Sequence, residues 1–200
     1  MMPILTLLLV GFVSQQPQST TPRRAAPATP GSATSPAQRQ RTPAQAAAMD
    51  TTMRVVADVA LIVADVKAET DRFRTRAFND PTGSVLESAA AFRAACERLA
   101  AAARAAPPKM CRTCLRPQSQ PAFNHYRAFL PTLAGLGGRC AARLRTKVTA
   151  DASQAVLRQT AIDMSNMMIA GLRPYEARIG EIRATLTPTN SRAAPRPGGR

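Results

Sequence analysis

Tryptophan is absent from this 200-residue chain, histidine occurs once, and aromatic residues make up 4%. A core must therefore be assembled from Ala, Leu, Val, Ile and Met, whose burial contributes roughly 25 cal/mol per Å² of apolar area. Small side chains bury little area each, so long and closely packed helices have to compensate. The lone His125 leaves no Ser-His-Asp set, and neither a Gly-rich phosphate loop nor paired carboxylates beside a cationic segment is present. These absences argue against an enzyme, thiol chemistry apart, and no cofactor is implied. Alternating apolar patterns and hairpin signals are also missing, which leaves an all-α reading.

A further absence is local: no Asp or Glu lies between Arg98 and Ala150. The chain carries a net charge of +15 from 27 basic and 12 acidic residues, and 24 of the basic ones are Arg. Residues 51–97 hold six basic and seven acidic side chains, and residues 151–188 hold four of each. The excess within the folded part thus falls on Arg98, Arg104, Lys109, Arg112, Arg116, Arg127, Arg139, Arg143, Arg145 and Lys147. If their elements are neighbours, one side or end carries a positive field that attracts anionic partners. Arg can hold phosphate or carboxylate in bidentate fashion. A solvated face in an Arg-rich composition is the plainer account, but acids are available elsewhere in the chain.

No apolar run reaches the bilayer-spanning length of about 20 residues. Met1–Val13 is uncharged and almost wholly apolar, through Ile4, Leu5, Leu7, Leu8, Leu9, Val10, Phe12 and Val13. That is the length of a signal-peptide core, so residues 1–16 are expected to direct export to a periplasmic or extracellular location. No Lys or Arg precedes the run and no clean small-x-small cleavage site follows it. Export makes nucleic acid a poor candidate partner and leaves no transmembrane helix after cleavage. Residues 17–41, rich in Pro, Ala, Ser, Thr and Gln, read as a disordered linker, and residues 188–200 as a disordered basic tail.

Between them, residues 42–187 read as one domain, an antiparallel four-helix bundle with kinked third and fourth helices; a three-helix core with a split third helix is the competitor. Helix one starts at Thr42-Pro43 with Gln45 completing a capping box, and ends before Asn79-Asp80-Pro81. Its seam is Met49, Val56, Val59, Val63, Val66, Phe73 and Ala77, and Arg54/Asp58 and Lys67/Asp71 pair on its outer face. Helix two opens at Ser84 with Glu87 as its cap partner, and its inward stripe contains Cys96. Pro107-Pro108 stops it. Helix three carries Phe123, Tyr126, Leu130, Leu133, Gly137, Cys140 and Leu144, interrupted by Pro131 and three glycines. Helix four begins at Asp151, capped by Gln154, runs through Met164, Met168 and Tyr175, and should bend at Pro174. Leu61 and Ile62 offer a leftover apolar patch for self-association.

Four cysteines in an exported chain suggest two disulfides, with three possible connectivities among Cys96, Cys111, Cys114 and Cys140. Cys96 and Cys140 meet if helix three effectively starts near Pro131. If it is continuous, they sit at different depths and each should pair with a loop cysteine. Cys111-Arg112-Thr113-Cys114 also invites a redox reading, since Lys109, Arg112 and Arg116 favour a thiolate. A zinc site from all four sulfurs is a weaker alternative, because their spacing matches no ordinary zinc module. Met164, Met167 and Met168 with His125 could present soft ligands to copper, although the core is the simpler place for the first and last. The leading expectation is an exported, non-enzymatic helical-bundle protein that binds an anionic envelope component, lipid surface or acidic protein through its basic segment. A thiol redox protein and a copper or zinc binder are the alternatives.

Overall fold

A computed structural model of the chain describes residues 42–186. The signal, linker and tail expected at 1–41 and 188–200 lie outside the described residues. Four helices follow one another: α1 Pro43–Asn79, α2 Thr82–Ala105, α3 Gln120–Lys147 and α4 Gln154–Leu186, with a 3-10 turn at Pro107–Lys109 between α2 and α3. Each helix packs on its chain neighbours and α4 closes the ring against α1. Short connections turn α1 into α2 and α3 into α4, and the longer 106–119 segment returns the chain along α2, so this is the four-helix bundle that the periodicity indicated.

The apolar seams account for the arrangement. Val56, Val59, Val63, Val66, Phe73 and Ala77 of α1 meet Val85, Phe92, Cys96 and Leu99 of α2 in one continuous core. Phe73 and Phe92 meet in a tilted ring contact with centroids 6.0 Å apart. Tyr126 and Tyr175 do the same between α3 and α4, also at 6.0 Å. Both phenol oxygens are buried, and each hydroxyl has the other as its polar neighbour. Desolvation pushes both hydroxyls up, that of Tyr175 to about 12. Leu61 is 69% exposed, but Ile62 packs against the core, so the two do not form a joint patch.

Helix ends agree in part with expectation. Thr42 and Gln45 make the reciprocal capping box. By contrast α2 starts two residues before Ser84, with Pro81 as N-cap and no side-chain cap. Proline presets the backbone there, so no capping hydroxyl is required to begin the helix. Gln154 does not cap its own helix either. Its amide donates to the Ala77 carbonyl at 2.9 Å, joined by Arg158 Nε at 3.3 Å, so α4 satisfies the open carbonyls of α1. Arg158 also lies over the Phe78 ring, 5.9 Å from its centroid. Lys67 ignores Asp71 and reaches across to Glu176 of α4 at 2.6 Å, and Arg54 and Asp58 form no ion pair. An interhelical partner costs Lys67 no more side-chain entropy than a neighbour on its own helix.

α3 is one uninterrupted helix through Pro131, and α4 runs through Pro174. Both prolines are exposed, so the carbonyls that lose an N–H partner lie on the solvent side. The expectation that a continuous α3 would separate Cys96 from Cys140 is overturned, because the two are joined by a disulfide with Cα atoms 6.0 Å apart. The reason is register. If Cys140 faces Cys96, the last residue of α2 faces Pro131, and the start of α3 projects roughly 16 Å beyond α2. The 106–119 loop occupies that gap beside the N-terminal turns of α1, where the Cys111 N–H donates to Thr52 Oγ1 at 2.9 Å. Close contact of α2 and α3 is possible because Gly137 lies against the backbone of Cys96 and Ala100.

Candidate functional site: a cationic helix face and a cysteine loop

The ten basic residues of the 98–147 segment divide into groups with different surroundings. Arg98 is tied to Asp65 of α1, and Arg145 to Glu97 of α2 at 3.0 Å. These two act as interhelical braces. Lys109, Arg112 and Arg116 sit exposed in the cysteine loop at one end of the bundle. Arg127 is half-buried near the start of α3, and Arg104 extends over α3 at Gly138, where a Cβ would stand 3.7 Å from its guanidinium.

Arg139, Arg143 and Lys147 are exposed and recur every four residues along α3. Their Cα atoms climb about 6 Å per step, giving a row of three cations about 12 Å long. They face the groove between α3 and α4. Arg139, Ala142, Arg143, Thr146 and Met167 line its upper part, and Arg143, Lys147, Gln159 and Asp163 its lower part. None of the three cations is ion-paired among the described residues. Asp163 instead accepts from the Gln159 amide at 2.9 Å. Arg139 lies back over its own helix at Gly135, where a Cβ would stand 3.3 Å from one guanidinium nitrogen. The cations thus form two groups, a row on the α3–α4 face and a cluster in the cysteine loop; Arg139 stands beside Cys140, about 12 Å along the axis from the end of α2 where the loop begins.

The cysteine loop is a second chemical centre. Cys111 and Cys114 are joined, with Cα atoms 5.9 Å apart, and no cysteine is free. Cys111 is half-buried and Cys114 is buried, at 6% exposure. The Cys114 N–H donates to Cys111 Sγ at 3.1 Å. With Cys96 and Cys140 paired about 14 Å further along the α2 axis, the four sulfurs do not converge on one point as a site built from all four would require.

The soft-ligand set is dispersed as well. Met164 and Met168 are buried in the core, Met167 turns to the cationic groove, and His125 lies toward the other end of α4, beside Glu181 at 3.3 Å. Desolvation acts upward on the Glu181 carboxyl, but hydrogen bonds from His125 and Arg178 and their charges outweigh it and hold the group below its usual range. Among the described residues no three His, Cys, Asp or Glu side chains are placed to hold a metal ion. None of the described helices is long and apolar enough to cross a membrane.

Two contributors carry no sequence signal for their roles. Thr52 looks like one more polar break in an apolar seam, yet its hydroxyl donates to Ala48 and accepts from Cys111. Met167 stands out in the sequence only as a possible soft ligand, whereas it packs against the core and lines the groove beside Arg139 and Arg143. No protein-family model, curated protein or solved structure matches this chain.

Proposed function

We propose that this chain is an exported, non-enzymatic helical-bundle protein that binds an anionic component of the cell envelope through the α3–α4 face. The row Arg139–Arg143–Lys147 carries the reading, because its cations are exposed, regularly spaced and without carboxylate partners. A row about 12 Å long exceeds what one small anion can span, so it suits a polyanion or a surface of repeated anionic groups. Met167 adds an apolar contact beside the charges, as an amphipathic surface or chain would need. Export is supported by the uncharged Met1–Val13 run and by the pairing of all four cysteines, which suits an oxidising compartment.

Co-sedimentation with phosphatidylglycerol-containing vesicles, compared with phosphatidylcholine alone, tests the proposal. Binding should require the anionic lipid and weaken steeply as salt is raised. Association that is equal on both vesicles, or unchanged from low to high ionic strength, contradicts it.

A further inference from the structure

Cys111–Cys114 closes a ring of four residues, whereas Cys96–Cys140 spans a sequence separation of 44. A cross-link stabilises mainly by restricting the unfolded chain, and a ring this small restricts little. Nor does the loop depend on it for anchorage. Met110 and Leu115 are buried in the core, Cys111 N–H is held by Thr52, and the Gln120 side-chain amide donates to the Arg112 carbonyl at 3.0 Å. Opening the short bridge would leave all of these in place.

The two sulfurs are also unlike each other. Cys111 is the accessible one, and a backbone N–H already points at it, a donor that stabilises negative charge on sulfur. Lys109, Arg112 and Arg116 lie within five residues of it, and no carboxylate occurs in the loop or in α3. Cys114 is shielded. One half-buried, electrostatically favoured sulfur beside one sheltered sulfur is the arrangement that thiol–disulfide exchange uses.

We propose that Cys111–Cys114 is an exchangeable dithiol–disulfide site, with Cys111 as the sulfur that meets a partner dithiol and Cys114 as the resolving one. In the reducing direction a partner thiolate attacks Cys111 Sγ. The partner–Cys111 bond forms, the Cys111–Cys114 bond breaks, and Cys114 leaves as a thiolate that takes up a proton. The partner's second thiol, giving up its proton to water, then attacks the partner's own sulfur in the mixed disulfide. That step releases Cys111 as a thiolate. Two electrons have passed to the chain and the partner has become a disulfide; the oxidising direction is the reverse. Cys96–Cys140, wholly buried between α2 and α3, stays intact throughout.

The test uses the full folded chain in graded mixtures of reduced and oxidised dithiothreitol, with acid quenching, alkylation and peptide mass mapping. Cys111 and Cys114 should become alkylated together, reversibly and with helicity unchanged, at ratios that leave Cys96–Cys140 closed. Opening of both bridges at one ratio, or opening of the short bridge only with loss of helicity, overturns the proposal. Trapping with oxidised glutathione assigns the roles: in folded Cys114→Ser, Cys111 should form the mixed disulfide, releasing reduced glutathione, roughly tenfold or more faster than Cys114 does in folded Cys111→Ser. Equal or reversed rates overturn the assignment of Cys111 as the attacked sulfur.

Discussion

A methyl group on Gly137 would stand 2.6 Å from the carbonyl oxygen of Cys96. The backbones of α2 and α3 touch there, one helical turn before Cys140. The Ala100 nitrogen, 2.8 Å from the same point, leaves the new atom no flexible side chain to displace. Gly137→Ala should therefore push the helices apart and destabilise the fold by about 1–3 kcal/mol. Gly180 is the control: nothing lies within 4 Å of its Cβ position, and it is exposed inside α4. Gly180→Ala should stabilise by about 0.5–1 kcal/mol through helix propensity. Urea midpoints of the two variants should move in opposite directions.

Removing the two disulfides should have unequal consequences. The chain-entropy relation gives about 4 kcal/mol for a loop the size of that closed by Cys96–Cys140, and about 2 kcal/mol for one as small as that of Cys111–Cys114. Cys96→Ala with Cys140→Ala should thus lower the urea midpoint clearly more than Cys111→Ala with Cys114→Ala. Equal losses would mean that the loop bridge holds more structure than its anchors suggest.

The tyrosine pair predicts an alkaline weakness. Burial raises the Tyr175 hydroxyl from 10.0 to about 12, so the folded chain keeps a proton that the unfolded chain releases. Stability is full below pH 10.0 and falls as pH rises toward about 12. Urea midpoints measured across that window should decline, and Tyr175→Phe should make the decline shallower, with buried Tyr126 responsible for the remainder.

Gln154 ties the start of α4 to the last carbonyls of α1. Gln154→Ala should cost about 1 kcal/mol and speed amide exchange at the α1–α2 turn. An unchanged exchange profile would show that Arg158 alone holds that junction.

How far these features were legible in the sequence depends on whether they are local or between helices. Seams such as Val56–Val59–Val63–Val66 and the Thr42/Gln45 capping box depend on residues three or four apart, and periodicity reveals them directly. Pairings such as Gln154 with Ala77, Lys67 with Glu176 and Cys111 with Thr52 depend on helix register, for which the chain carries no local code. The same blindness produced the wrong depth for Cys96 and Cys140. It assumed that the loop only turns the chain, whereas Met110 and Leu115 make it part of the core beyond α2. The basic segment was visible as a count, but its division into braces, a loop cluster and a helix row needed the packing.

On the proposed function a particular row of cations, rather than net charge, confers anion binding. The most direct test of this compares two triple variants of equal charge on phosphatidylglycerol vesicles at low ionic strength. One removes Arg139, Arg143 and Lys147 by alanine substitution; the other removes Arg54, Arg74 and Arg173, exposed cations on α1 and α4. The first should lose most of its binding, since each phosphate-contacting cation near such a surface contributes on the order of 1 kcal/mol, while the second retains nearly all of it. Equal loss in both variants, or none in the first, would mean that the Arg139–Arg143–Lys147 row is not the binding surface.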